Sequence, residues 1–159
     1  MKELVGRRVD AIDVEKAKQE YIIFHTDTGP ICYAALPDCC SETWFADILG
    51  IERILGKVIG SVEEIEVTDF ACRLIERDGR GRQESDKVYG ISLGVAGGCG
   101  SGCEIVFRNS SNGYYGGCLS GPIDIPKERG DSSAYASGHE QLEWERITKD
   151  WSAGEPKEA

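Results

Sequence analysis

Two stretches of this sequence hold side chains able to do chemistry. The first is Arg108, Asn109, Ser110, Ser111 and Asn112, followed by Tyr114, Tyr115 and the glycines at 116 and 117. A guanidinium supplies a planar donor fork, and a phenol ring supplies a stacking surface. Paired glycines bare the main chain for close approach. Together these groups suit a flat anionic ligand such as a nucleotide. The second stretch is Asp38–Cys39–Cys40–Ser41–Glu42, with Trp44 two residues on. Asp38, Ser41 and Trp44 offer a second wall for the same ligand. Cys39 and Cys40 offer thiols, which become nucleophilic where a helix start lowers their pKa. A nucleophile also needs a base. The only histidines are His25 and His139, and nothing in the sequence places either beside the cysteines. Buried small thiols are the plainer reading, and a disulfide between chain neighbours would be strained.

These groups need elements to carry them. Asn112–Gly113 lies between two strand-like runs, the pattern of a type I′ hairpin turn. With those two residues as the loop, Ser111 faces Tyr114, Ser110 faces Tyr115, Asn109 faces Gly116 and Arg108 faces Gly117. Phe107, Asn109 and Ser111 then share one face, while Val106, Arg108 and Ser110 share the other. The plainer alternative is a hairpin with a solvated polar tip. For the second stretch, Asp38 or Ser41 can cap a helix whose buried stripe is Trp44, Phe45, Ile48 and Leu49, ended by Gly50.

Around them the chain reads mainly as strands. Residues 8–14 alternate only partly in phase and read as a first strand, residues 20–26 read as a strong strand, Asp27–Thr28–Gly29 turns, and residues 30–36 return with Ile31, Tyr33 and Ala35 on one face. Residues 51–55 form a short helical turn, and 57–67 and 88–96 read as further strands. Residues 77–87 read as a polar surface loop, 97–102 as a tight turn and 121–138 as irregular. Leu142 and Trp144 fit strand spacing, while Trp144, Ile147 and Trp151 fit helix spacing. The expected fold is α+β: mainly antiparallel sheet, in a meander and hairpins, with one or two short helices packed on it. One domain spans residues 1–151, with 152–159 a flexible tail.

Other candidates carry less. Cys99, Cys103, Cys118 and His139 have zinc-type donors but lack paired CxxC spacing, so no metal is expected. GGCGSG at 97–102 lacks the Lys and the following helix of a phosphate loop. The acids near residues 38–47 and 63–66 match no cation-loop spacing. No cofactor is expected.

Among the chain's 159 residues, 40% are hydrophobic and 29% charged, ordinary for a globular protein. The formal charge of −10 is not ordinary, and it argues against direct nucleic-acid binding, which needs Lys and Arg. An acidic surface suits a basic protein partner or mimicry of nucleic acid. No apolar run reaches the about 20 residues of a membrane span. The opening MKELVGRRVD has no signal-peptide hydrophobic core. The seven cysteines are odd in number, which does not suggest a disulfide framework. These features place the chain in the cytoplasm with reduced thiols.

DCCSETWF at 38–45, RNSSNGYYGG at 108–117 and ITKDW at 147–151 together resemble a small domain family of unknown function from phage and bacterial genomes. The resemblance spans Leu4 to about Trp151. It implies a compact α+β domain and a viral setting, and it brings no catalytic residues. The function expected is a non-enzymatic module that binds a small nucleotide-like anion, assembled as a homo-oligomer. In a phage, such a module would sequester a host signalling nucleotide. The alternatives are a thiol enzyme using Cys39 or Cys40, and an acidic interaction or nucleic-acid-mimic protein.

Overall fold

The computed structural model describes residues 1–67, 83–100, 102–113, 116–129 and 140–153. The strand-like runs near the start become strands β1 (Arg8–Glu15), β2 (Tyr21–Thr26) and β3 (Gly29–Pro37), paired antiparallel as a meander. Their register sets Ile12 beside Phe24 and Phe24 beside Ile31, so one face is continuously apolar. Phe24 meets Tyr33 edge-on at 6.0 Å.

The stretch read as a helix over Ser41–Leu49 is instead strand β4 (Glu42–Leu49), buried from Thr43 to Ile48. Two causes gave it a helical pattern. Both faces of β4 are covered, so Trp44 and Phe45 are each 0% exposed although they point to opposite sides. A buried strand of this length cannot be told from a buried helix by apolar spacing alone. The pairing with the next strand also slips between Phe45 and Asp47, a bulge that brings Ile48 onto the Phe45 face. That three-residue spacing imitates a helical stripe.

Gly50 does not end a helix; it starts one. It adopts φ 79° and opens the single turn α1 (Ile51–Ile54), and a Cβ there would lie 2.4 Å from the Gly102 carbonyl oxygen. Apart from a 3-10 turn at Lys2–Leu4, α1 is the only helix among the described residues. The fold is therefore mainly β, and the α+β expectation is corrected.

Strands β5 (Lys57–Ile65), β6 (Ser85–Val95), β7 (Cys103–Ser111) and β8 (Gly117–Ile123) follow. The short strands β9 (Glu128–Arg129), β10 (Glu140–Gln141), β11 (Trp144–Ile147) and β12 (Trp151–Ser152) complete the described chain. Ser85–Lys87 thus begin β6 rather than end a loop, and residues 121–123 belong to β8. Trp144, Ile147 and Trp151 lie on strands. Ser152 pairs with Asp47, and the Ala153 N–H donates to Ala46 O, so the first residues assigned to a tail are held. The rest of that tail and most of the polar loop lie outside the described residues.

Among the described residues, ten strands form one antiparallel sheet in the order β12-β4-β7-β6-β5-β1-β2-β3-β8, with β11 also on β1. β5 bridges its halves, pairing with β1 at residues 57–58 and with β6 from Ile59 onward. A single hydrophobic cluster joins Ile12, Phe24 and Tyr33 from one half to Phe45, Leu93 and Phe107 from the other. The sheet is folded so that these faces share one interior.

The hairpin expected around Asn112–Gly113 does not form. The bend is there: Gly113 has φ 92°, and its N–H donates to Ser111 Oγ at 3.1 Å. But β7 pairs with β4 on one edge and with β6 on the other. No edge is left for β8, which pairs with β3 instead, Leu36 against Cys118 and Pro37 against Gly117. An Asn-Gly bend fixes local direction only. The buried edges of β7 decide its partners.

Candidate functional site

The chain passes from the β3 half of the sheet to the β4 half through Asp38–Ser41. It passes back from β7 to β8 through residues 112–116. The two crossovers touch. Gly116 O accepts from the Asp38 N–H at 3.0 Å and from Ser41 Oγ at 3.1 Å. Both chemistry-bearing stretches of the sequence therefore fall on one end of the fold, brought together through main chain rather than across a hairpin.

Alternation along β7 then sorts its polar side chains. Phe107, Asn109 and Ser111 point to the inner face, while Arg108 and Ser110 point outward. Direct cross-strand neighbours share a face. The inner rows are thus Phe45–Phe107–Tyr89, with Phe107 and Tyr89 stacked at 4.9 Å, and beyond them Thr43–Asn109–Lys87. The outer row is Trp44–Arg108–Val88.

On the outer face Arg108 is 3% exposed, and its guanidinium carbon sits 5.1 Å from the centre of the Trp44 ring. A desolvated cation–π contact of this kind is worth roughly 2 kcal/mol. Sealed this way, Arg108 does not meet a ligand from solvent as the hairpin arrangement required. Ser110 Oγ accepts from the Gln83 N–H at 3.0 Å. Tyr114 and Tyr115 lie outside the described residues.

On the inner face Asn109 is 0% exposed. Its Nδ2 donates to Glu42 O at 3.1 Å and to Thr43 Oγ1 at 2.9 Å. A carbonyl can only accept, so the Glu42 contact fixes which amide atom is nitrogen. Asn109 Oδ1 then has no hydrogen-bond partner among the described residues. Gly117 lies against the same pair: a Cβ there would fall 2.1 Å from Thr43 Oγ1 and 2.8 Å from Asn109 Nδ2. Of the two glycines only Gly117 marks a close approach, and what approaches it is the Thr43 and Asn109 side chains rather than a ligand or another backbone. At Gly116 a Cβ would meet nothing within 4 Å. Lys87, opposite Asn109, is exposed. Sequence reading missed Thr43 and Lys87, because only the β4-β7-β6 register brings them to Asn109.

Cys39 and Cys40 occupy an exposed turn rather than a helix start. The Cys39 thiol is instead pushed up, chiefly by its contact with Cys40. His25 lies elsewhere, its Nε2 2.7 Å from Asp13 Oδ2. Arg146 Nη2 donates to the same Oδ2 at 3.1 Å, and its Nε donates to Oδ1. Burial alone would raise the Asp13 pKa, but the hydrogen bonds from Arg146 and His25 outweigh it and hold the carboxyl below the usual range. This second polar cluster had no sequence signal, since its members come from three strands. Cys103 is sealed in the core, and burial pushes its thiol up to about 12. Among the described residues, no three His, Cys, Asp or Glu side chains gather as a metal site would require. His139 and Cys72 lie outside those residues. Among them, too, no helix is long and apolar enough to cross a membrane.

Residues 2–120 match the model of a domain of unknown function, DUF7448. The match runs from the first turn into β8 and includes both crossovers. ITKDW at 147–151 lies beyond it. An uncharacterised protein, L278, of Acanthamoeba polyphaga mimivirus is 33% identical over 108 residues, covering 66% of this chain and 78% of its own length. No solved structure matches.

Proposed function

The chain belongs to the DUF7448 family, and from that premise we propose that it is a non-enzymatic binding module for a small nucleotide-like anion. The site is the end of the fold where the two crossovers meet. The supporting observation is Asn109 Oδ1, an acceptor without a hydrogen-bond partner among the described residues in a 0% exposed side chain. Buried polar atoms nearly always have partners, and leaving one unmet costs on the order of 1–3 kcal/mol. An amide acceptor calls for an N–H donor, which the edge of a nucleobase carries; because Asn109 is 0% exposed, the two crossovers must part to admit it. Lys87, exposed beside it, suits a phosphate. Ser41, Ser111 and the main chain at Gly116 supply the surrounding polar groups. Asp38 holds the rim through its N–H rather than its carboxylate. Arg108 on Trp44 stiffens the strand that carries Asn109.

A viral setting, with the chain assembled as a homo-oligomer, would suit sequestration of a host signalling nucleotide. That role draws on a relative from a virus and on the resemblance to phage and bacterial domains. Calorimetric titration with a panel of linear and cyclic nucleotides tests the reading. Binding of at least one is expected, weakened roughly tenfold or more by Lys87→Glu, as loss of a charge-assisted hydrogen bond implies. Absence of heat with every nucleotide would overturn it.

A further inference from the structure

The turn Asp38–Ser41 closes through the Ser41 N–H, which donates to Asp38 O at 3.1 Å, and through Ser41 Oγ, which donates to the same oxygen at 2.9 Å. Cys39 and Cys40 are its two central residues. Cys40 has φ 58°, a left-handed conformation that few residues other than glycine adopt. Both side chains are exposed, and their sulfurs lie 3.5 Å apart. Two thiols so placed face solvent and each other, with the backbone already turned to let them meet. We propose that Cys39 and Cys40 form a reversible oxidative modification site that closes to a disulfide by exchange with a low-molecular-weight disulfide.

The exchange balances without another reactant. The thiolate of one cysteine attacks the small disulfide R–S–S–R, giving a mixed disulfide and releasing one thiolate R–S⁻. The neighbouring thiolate then attacks the protein sulfur of that mixed disulfide and expels the second R–S⁻. The two cysteines lose two electrons, the small disulfide gains them, and two R–SH leave with the protons. Adjacent Cα atoms are about 3.8 Å apart across a trans peptide, below the about 4.4–6.8 Å that disulfides prefer. A bond formed here is therefore strained and easily reduced, the property of a labile site rather than of a structural staple. Its place matters because the turn holds Gly116 O, the link between the crossovers. Closing the ring would fix that clasp in one conformation.

The test incubates the folded full-length protein with oxidised glutathione, blocks the remaining thiols and maps the peptides by mass spectrometry. The expected product has lost two hydrogens within Cys39–Cys40, retains no glutathione there and returns to the dithiol with dithiothreitol. Cys32, 1% exposed with its thiol pushed up to about 12 by burial, is an internal blank on the same stretch of chain. Exposed Cys99 and Cys118 are single-thiol controls that should retain glutathione. Cys39→Ser and Cys40→Ser should each leave glutathione on the surviving thiol. Phenylarsine oxide, which bridges paired thiols without oxidising them, should bind the native protein once and neither variant at this turn. Glutathione retained on Cys39 or Cys40 of the native protein, or no reaction there while Cys99 and Cys118 react, would overturn the proposal. Neither result bears on nucleotide binding.

Discussion

Two polar clusters sit on this sheet, and they are completed to different degrees. At Asp13, both carboxylate oxygens are engaged, by Arg146 from β11 and by His25 from β2. The cluster explains itself as a clamp across three strands, and His25 and Arg146 remain partly open to water. At Asn109 the side chain is sealed, one amide atom is doubly used and the other has no hydrogen-bond partner among the described residues. Fold stability accounts for the first arrangement and leaves the second incomplete. The difference separates polar groups that hold the sheet together from those that could hold something else.

Removing the wall behind the incomplete cluster should have the largest effect. Trp44→Ala empties a fully buried indole site and strips Arg108 of its ring. A cost of about 3–5 kcal/mol is expected from cavity formation, read as a lower urea midpoint. A loss under about 1 kcal/mol would mean that this end of the fold is loosely packed, and Asn109 would lose its standing as a sealed group.

Next comes Gly117→Ala. The added methyl would press on Thr43 Oγ1 and Asn109 Nδ2, and overpacking of this kind costs about 1–3 kcal/mol. In a Thr43→Ala background the nearest obstacle is gone, so the same change should cost less. A double-mutant cycle reads the difference. Equal costs in both backgrounds would show that Gly117 does not rest on this pair.

The complete cluster should respond more weakly and with pH. Asp13 is held below the usual carboxylate range, so its contribution is present above that range. It fades as the pH falls through the lowered value of the folded state. Arg146 is half exposed, which limits the contribution to no more than about 1 kcal/mol. Asp13→Asn should therefore destabilise near neutral pH and converge on the native protein in acid, as measured by urea unfolding across a pH series. A constant gap at all pH values would assign the loss to packing instead.

The β1–β3 meander was legible although Ile22–Phe24 and Ile31–Ala35 are buried without a break, because its runs are short, rich in β-branched and aromatic residues, and bounded by the Asp27–Thr28–Gly29 turn. The reading misled at β4, which lacks those bounds. In β4, Trp44 and Phe45 are both buried, and the bulge at Ala46 erased the alternation, so a strand looked helical. Around Asn112–Gly113 the bend was legible, and so was the sorting of Asn109 from Arg108 onto opposite faces. The pairing was not, since local turn chemistry carries no information about β4 and β6 competing for the edges of β7. Asp38 and Ser41 do lie against the Arg108–Gly117 stretch, yet through Gly116 O, a backbone contact that no residue type announces. Thr43, Lys87 and the Asp13 cluster depend wholly on register between distant strands.

The smallest expected effect on stability is also the most direct probe of the incomplete cluster. Gly116 and Gly117 are chain neighbours in opposite surroundings. Gly117 is pressed against side chains, whereas a Cβ at Gly116 meets nothing within 4 Å, and Gly116 is not among the residues with positive φ. Gly116→Ala should be neutral or stabilise by about 0.5 kcal/mol through the unfolded chain. Gly116→Val should stay within about 0.5 kcal/mol of the native protein, as a surface change does. A ligand seated between Asn109 and Lys87 would cover that open space, so the valine should weaken nucleotide binding several-fold without moving the urea midpoint. Undiminished affinity in the valine variant would place the ligand away from the crossovers, and the open acceptor of Asn109 would then be a feature of packing alone.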